Sequence, residues 1–122
     1  MLNLKKIIII SIILILIDSS YLYLISNLFQ EQIIKIQNNK IKFKFIGAII
    51  CYLFLVFGLY YFIIKNNKSP FDAFLLGLII YGVYDSTNYA TLINWPAKFA
   101  IIDTLWGGTL FALTTFISYK LI

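Results

Sequence analysis

The stretch FDAFLLGLIIYGVYDSTNYATLINWPAKFAIIDTLW, from Phe71 to Trp106, decides how this chain folds. It reads as two apolar helices joined at a tight Asn94-Trp95-Pro96 corner, with Pro96 as the stop beyond the first. Each helix carries an aspartate, Asp85 or Asp103, inside a run that is otherwise compatible with lipid. A carboxylate at such a depth costs about 2.5–3.5 kcal/mol on insertion scales, which marks both as candidate site residues.

The rest of the composition points the same way. Of 122 residues, 61% are hydrophobic and 12% charged, against about 45–50% and 25% in soluble domains. A chain this short makes one domain and has too much surface to hide that excess in a core. A bilayer is the natural solvent, and the fold class expected is an all-α integral membrane four-helix bundle. The apolar runs fall at residues 7–28, 45–64, 71–93 and 99–121, each near the length of about 20 residues that crosses the hydrocarbon layer. The first begins like a signal peptide, but it is too long and lacks a small-residue cleavage pattern, so it reads as a retained membrane helix. Between the first two runs lies FQEQIIKIQNNKIKFK, the longest polar segment. It is expected in the headgroup layer, with a turn at Asn38-Asn39. Pro70 suits the first position of the third helix, and Asp72 its first turn.

Ten lysines against five acids give a formal charge of +5, with no arginine and no histidine. The lysines flank the apolar runs, as interfacial anchors do. No basic helix or arginine-bearing motif points to nucleic acid, so the partner expected is the lipid bilayer. Lysines divide five and five between the two sides. The pair Lys5 and Lys6 before the first helix then favours cytoplasmic termini. The lone Cys51 rules out an internal disulfide, and with histidine absent there is no ligand set for haem or zinc and no Ser-His-Asp or Cys-His nucleophile. No cofactor and no metal are expected.

At 100° per residue, Gly77, Tyr81, Tyr84, Asp85, Asn88 and Thr91 form one stripe of the third helix. Asp103, Trp106, Gly107 and Thr114 share a face of the fourth, and Ser11, Asp18 and Tyr21 a face of the first. The three aspartates fall in the half of the bundle nearest the Asn94-Trp95-Pro96 corner. The expectation is one polar pocket lined by Asp18, Tyr21, Tyr81, Tyr84, Asp85, Asn88, Asp103 and Trp106, opening toward that corner. The second helix would close the bundle with its Gly47, Cys51 and Gly58 face. Trp95 and Trp106 read as interfacial anchors, with a wall of the pocket mouth as the alternative.

These residues resemble a family of small bacterial membrane proteins, domain of unknown function 2177. The likeness lies in Gly77, Tyr81-Gly82-Val83-Tyr84-Asp85, Thr87-Asn88, Ala90-Thr91-Leu92, Trp95-Pro96, and Asp103 with Trp106-Gly107. Ile17-Asp18 with Tyr21-Leu22, and Tyr52 with Gly58, match its first two helices. Tyr21 stands where that family usually has an indole, and Ser86 where it has leucine. The resemblance implies a four-helix integral membrane protein and carries no established activity.

The functional expectation is a carboxylate-lined intramembrane pocket that binds or moves a small ligand, proton or cation. Four helices are few for alternating access, so a carrier of this size would work as a homo-oligomer. The alternatives are a lipid-modifying enzyme with a carboxylate pair, or an accessory subunit of a membrane complex. The Gly-x-Gly-Asp and Pro-Ala-Leu marks of intramembrane aspartyl proteases are absent. Three carboxylates in one low-dielectric site cannot all stay ionised without a cation. Infrared difference spectra of cation-free protein should therefore show at least one protonated carboxyl. Three fully ionised carboxyls would contradict a shared site.

Overall fold

A computed structural model describes residues 3–37 and 44–122. Four α-helices follow one another: α1 (Leu4–Gln37), α2 (Phe45–Leu59), α3 (Pro70–Thr91) and α4 (Ala97–Leu121). A π turn, Tyr60–Ile64, continues α2. Among the described residues there is no strand. The molecule is an all-α bundle. Three of its helical stretches, 4–36, 45–64 and 97–121, are long and apolar enough to cross a membrane.

The helix α3 is of similar length, but Asp85, Ser86, Thr87 and Asn88 lower its apolarity. The path of the chain nevertheless sets its direction. The Tyr119 hydroxyl near the end of α4 donates to the Lys68 carbonyl just after the π turn at 2.6 Å. The second and fourth helices therefore finish on the same side. The third, which joins the end of one to the start of the other, has to run back between them.

Local sequence sets the ends of α3. Ser69 caps its start by accepting from the Asp72 backbone N–H at 3.1 Å, and Pro70 occupies the first turn, where its missing N–H costs nothing. The preceding turn places Asn67 at φ 52°, a left-handed conformation that asparagine tolerates better than most residues. At the other end, Leu92 leaves the helical region and the Trp95 N–H bonds back to the Leu92 carbonyl at 3.3 Å. Pro96, with extended backbone, then opens α4.

The first helix does not stop with its apolar run at Leu28. It continues to Gln37. No proline or glycine interrupts residues 29–37, and Phe29, Ile33 and Ile36, at helical spacing, are half-buried. Phe29 meets the Phe99 ring at 5.7 Å, and the Asn94 side-chain amide donates to the Lys35 carbonyl at 2.8 Å. At 1.5 Å per residue the 34-residue helix is about 51 Å long, well beyond a hydrocarbon core of about 30 Å. Its last turns thus stand beside the corner between α3 and α4. The segment expected in the headgroup layer is, up to Gln37, an extension of the bundle. The Asn38-Asn39 turn lies outside the described residues.

Glycine sets the closest approach. A Cβ placed on Gly77 would overlap the Gly107 carbonyl, and one on Gly107 would overlap the Tyr81 ring. The third and fourth helices therefore touch backbone to backbone, as small residues allow in membranes. The second helix behaves otherwise than expected. A methyl added to Gly47 or Gly58 would meet nothing within 4 Å, and Cys51 is exposed. Its packing face is instead Tyr52, Leu55, Val56 and Leu59, which join Ile10, Leu14, Leu110 and Phe111 in the core. Large branched side chains gain more contact there than glycines would, so the small-residue face turns outward.

Gly77→Ala should destabilise the protein by about 1–3 kcal/mol, because the colliding atoms are backbone and cannot yield. Gly47→Ala, in open space, should leave stability unchanged or raise it. Unfolding titrations in mixed micelles measure both.

Candidate functional site

Each helix brings one part of the polar cluster. Asp18 of α1 is buried, and both of its oxygens are used. The Tyr52 hydroxyl of α2 donates to Oδ2 at 2.5 Å, and the Trp106 indole N–H of α4 donates to Oδ1 at 3.0 Å. One turn further along α1, the Tyr21 ring stacks on Trp106, with centroids 4.3 Å apart and planes 5° from parallel. Its hydroxyl donates to Asp103 Oδ1 at 3.3 Å.

Asp103, itself 9% exposed, faces Asp85 of α3 within hydrogen-bonding reach. Asp85 is fully buried. The Thr104 hydroxyl approaches its Oδ2 at 3.5 Å, a long contact. Asp85 Oδ1 has no hydrogen-bond partner among the described residues, and neither has the buried Trp95 indole N–H. These two atoms belong to the same neighbourhood, with the indole beside the Asp85 carboxyl but out of good bonding geometry. Buried polar groups without partners are rare and costly, so Asp85 is the least satisfied of the three carboxyls.

The eight expected site residues divide unevenly. Asp18, Tyr21, Asp85, Asp103 and Trp106 come together in one continuous network. Tyr81 lies across Gly107, its ring occupying the space a Cβ there would need. Tyr84 is half exposed and pairs with Asn88 on the flank, away from the Asp18 end. Thr91 and Ser11 return their hydroxyls to their own helices, at Thr87 and Ile7. The carboxylates form a chain and do not converge on a single point; among the described residues no three acidic or cysteine side chains are grouped to hold a metal ion.

Nor does the cluster open toward the corner. Trp95, only 4% exposed, fills that end, edge-on to Tyr84 at 6.1 Å and to Phe99 at 5.3 Å. Its burial favours the alternative reading, a wall of the cluster. Its ring packs against Tyr84 and Phe99, and its indole lies beside the Asp85 carboxyl. A groove of about 450 Å³ lies between α3 and α4, lined by Gly82, Ser86, Tyr89, Ala100, Ile101 and Thr104. Thr104 separates it from Asp85.

Sequence reasoning missed Tyr52 and Thr104 as members of the site, and offered Trp95 only as the alternative to an anchor. Tyr52 carries a signal, since it is a phenol within the otherwise aliphatic run GAIICYLFL. Thr104 follows Asp103 directly and was hidden by that neighbour. Trp95 had the position of an anchor.

The chain matches, over residues 3–120, a family described as predicted membrane protein, domain of unknown function 2177. It belongs to that family. No curated protein and no solved structure matches the chain.

Tyr52→Phe removes one donor from a buried carboxyl and should cost about 1–3 kcal/mol of stability. Ser86→Ala removes a hydroxyl that only bonds its own helix at the Gly82 carbonyl, and should cost far less. Thermal unfolding in detergent compares the two.

Proposed function

We propose that this family member binds a proton, or a small cation in its place, at the Asp85–Asp103 pair within the membrane, and passes it on. The observation that supports this reading is the unmatched Asp85 oxygen beside a second carboxyl and an unmatched indole N–H. Two carboxylates so close in a low-dielectric site share one positive charge between them, since both cannot ionise.

The residues then take distinct roles. Asp85 is the exchanging group. Asp103, steadied by Tyr21, is its partner. Asp18 serves position: with Tyr52 and Trp106 it fixes the indole on which Tyr21 stacks, and so fixes the hydroxyl that reaches Asp103. Trp95 and Thr104 close the two flanks of Asp85. The Lys5 and Lys6 pair favours cytoplasmic termini, and a homo-oligomer would supply the moving surface that four helices lack. The groove beside Thr104 supports a second reading, in which a lipid chain lies there and the carboxyl pair acts on it as general acid and base.

In proteoliposomes carrying a pH gradient, Asp85→Asn and Asp103→Asn should each reduce proton movement by at least about tenfold, a difference of 1.4 kcal/mol or more in the rate-limiting step. Both should keep the folded, monodisperse state. Unchanged flux in both variants would discard the carrier reading. Lipid extracts altered by the unmodified protein but not by the variants would establish the enzyme reading in its place.

A further inference from the structure

At the other end of α4, Thr114, Thr115 and Ser118 are fully buried, and none of their hydroxyl oxygens has a hydrogen-bond partner among the described residues. Serine and threonine in membrane helices usually return the hydroxyl to a carbonyl one turn back. This chain does so at Ser11, Ser20, Ser86, Thr91 and Thr109, four residues back in each case. Thr109 lies on the same helix, and its hydroxyl meets the Leu105 carbonyl at 2.9 Å. The three buried hydroxyls are the departure from that habit. They are also neighbours, because positions 114 and 118, and 115 and 118, are one helical turn apart.

We propose that Thr114, Thr115 and Ser118 form a second polar site inside the membrane, and that its ligand is ordered water. Water is the ligand that neutral hydroxyls call for. It both donates and accepts, makes about three hydrogen bonds, and is the usual partner of otherwise unmatched buried groups. A bare cation would need compensating charge or many more oxygens than three. The site has a route to the surface. Ser118 precedes Tyr119, a partly exposed side chain whose hydroxyl already bonds the Lys68 carbonyl in the exposed turn before α3. On the inner side, the buried Leu110 and Phe111 intervene on the same helix face before Gly107 and Trp106. Eleven residues separate Thr114 from Asp103, an axial distance of about 16 Å. The bundle is thus wet at the terminus-side end, dry at Leu110 and Phe111, and polar again at the carboxylates. In combination with the proposed function, on which this one step rests, the water site is the proton entrance from the terminus side.

The test uses the full chain in lipid nanodiscs. Brief X-ray radiolysis makes hydroxyl radicals from bound water and oxidises the side chains beside it. Phe111 is fully buried, so in a dry interior it should not react. The expected result is oxidation of Phe111 in the unmodified protein, falling several-fold in Thr114→Val/Thr115→Val/Ser118→Ala. Absence of oxidation in the unmodified protein, or equal oxidation in the variant, overturns the proposal. Thermal unfolding gives an independent arm, and Ser118→Ala alone serves if the triple variant does not fold. Hydrated hydroxyls replaced by methyls should leave the melting temperature unchanged or lower. A clear rise would mean that the hydroxyls had been dry and unmatched, and overturns the water site. Neither readout needs transport, so both stand whatever Asp85→Asn does to flux. If that variant abolishes flux while the triple variant leaves it unchanged, the entrance is overturned and the carboxylate pair is not.

Discussion

A carboxyl group in hydrocarbon has to find donors, and that demand ties this bundle together. Asp18 collects them from two other helices, and Asp103 takes one from the first. None of these donors is a cation: they are two phenols and an indole. Such partners satisfy an acid whether or not it holds its proton, which a lysine would not do equally well. The cross-links also differ from ordinary apolar packing in being directional. Sliding any helix by one residue along its axis, about 1.5 Å, would break them.

Two kinds of contact therefore share the work. Between the third and fourth helices, glycines let the backbones meet, and the contact is steric and close. The first and second helices are held to that pair by long polar side chains at one end and by Ile10, Leu14, Leu55 and Leu59 at the other. The long first helix adds a third tie outside the apolar layer, where Asn94 reaches Lys35. That tie lies over the same end of the bundle as Trp95, so the corner is braced from above as well as packed from below.

Much of this was legible in the sequence. Helix number and class follow from the lengths of the apolar runs, and the meeting of Asp18, Tyr21, Asp85, Asp103 and Trp106 follows from helical phase and depth. Phase was less reliable at the edges of the stripe. Tyr84 and Thr91 share the arc of Asp85 on a wheel, yet they lie on the flank, because a neighbouring helix covers only part of that arc. The second helix misled for a different reason. Glycine at helical spacing signals close approach only where another backbone is available to approach, and sequence does not say which face that is. The extension of the first helix past Leu28 was obscured by lysine and glutamine among the isoleucines. Gln30, Glu31 and Lys35 are exposed while Phe29, Ile33 and Ile36 continue the packing face.

The chain has two tryptophans, and both lie against carboxyl groups: Trp106 bonded to Asp18, Trp95 turned toward Asp85. Excited where only indoles absorb, the emission of this protein therefore originates from its acidic centre, with Trp106 further coupled to the phenol stacked upon it. Nature has in effect placed two native optical probes at the two ends of the network, one on the saturated aspartate and one on the unsaturated aspartate.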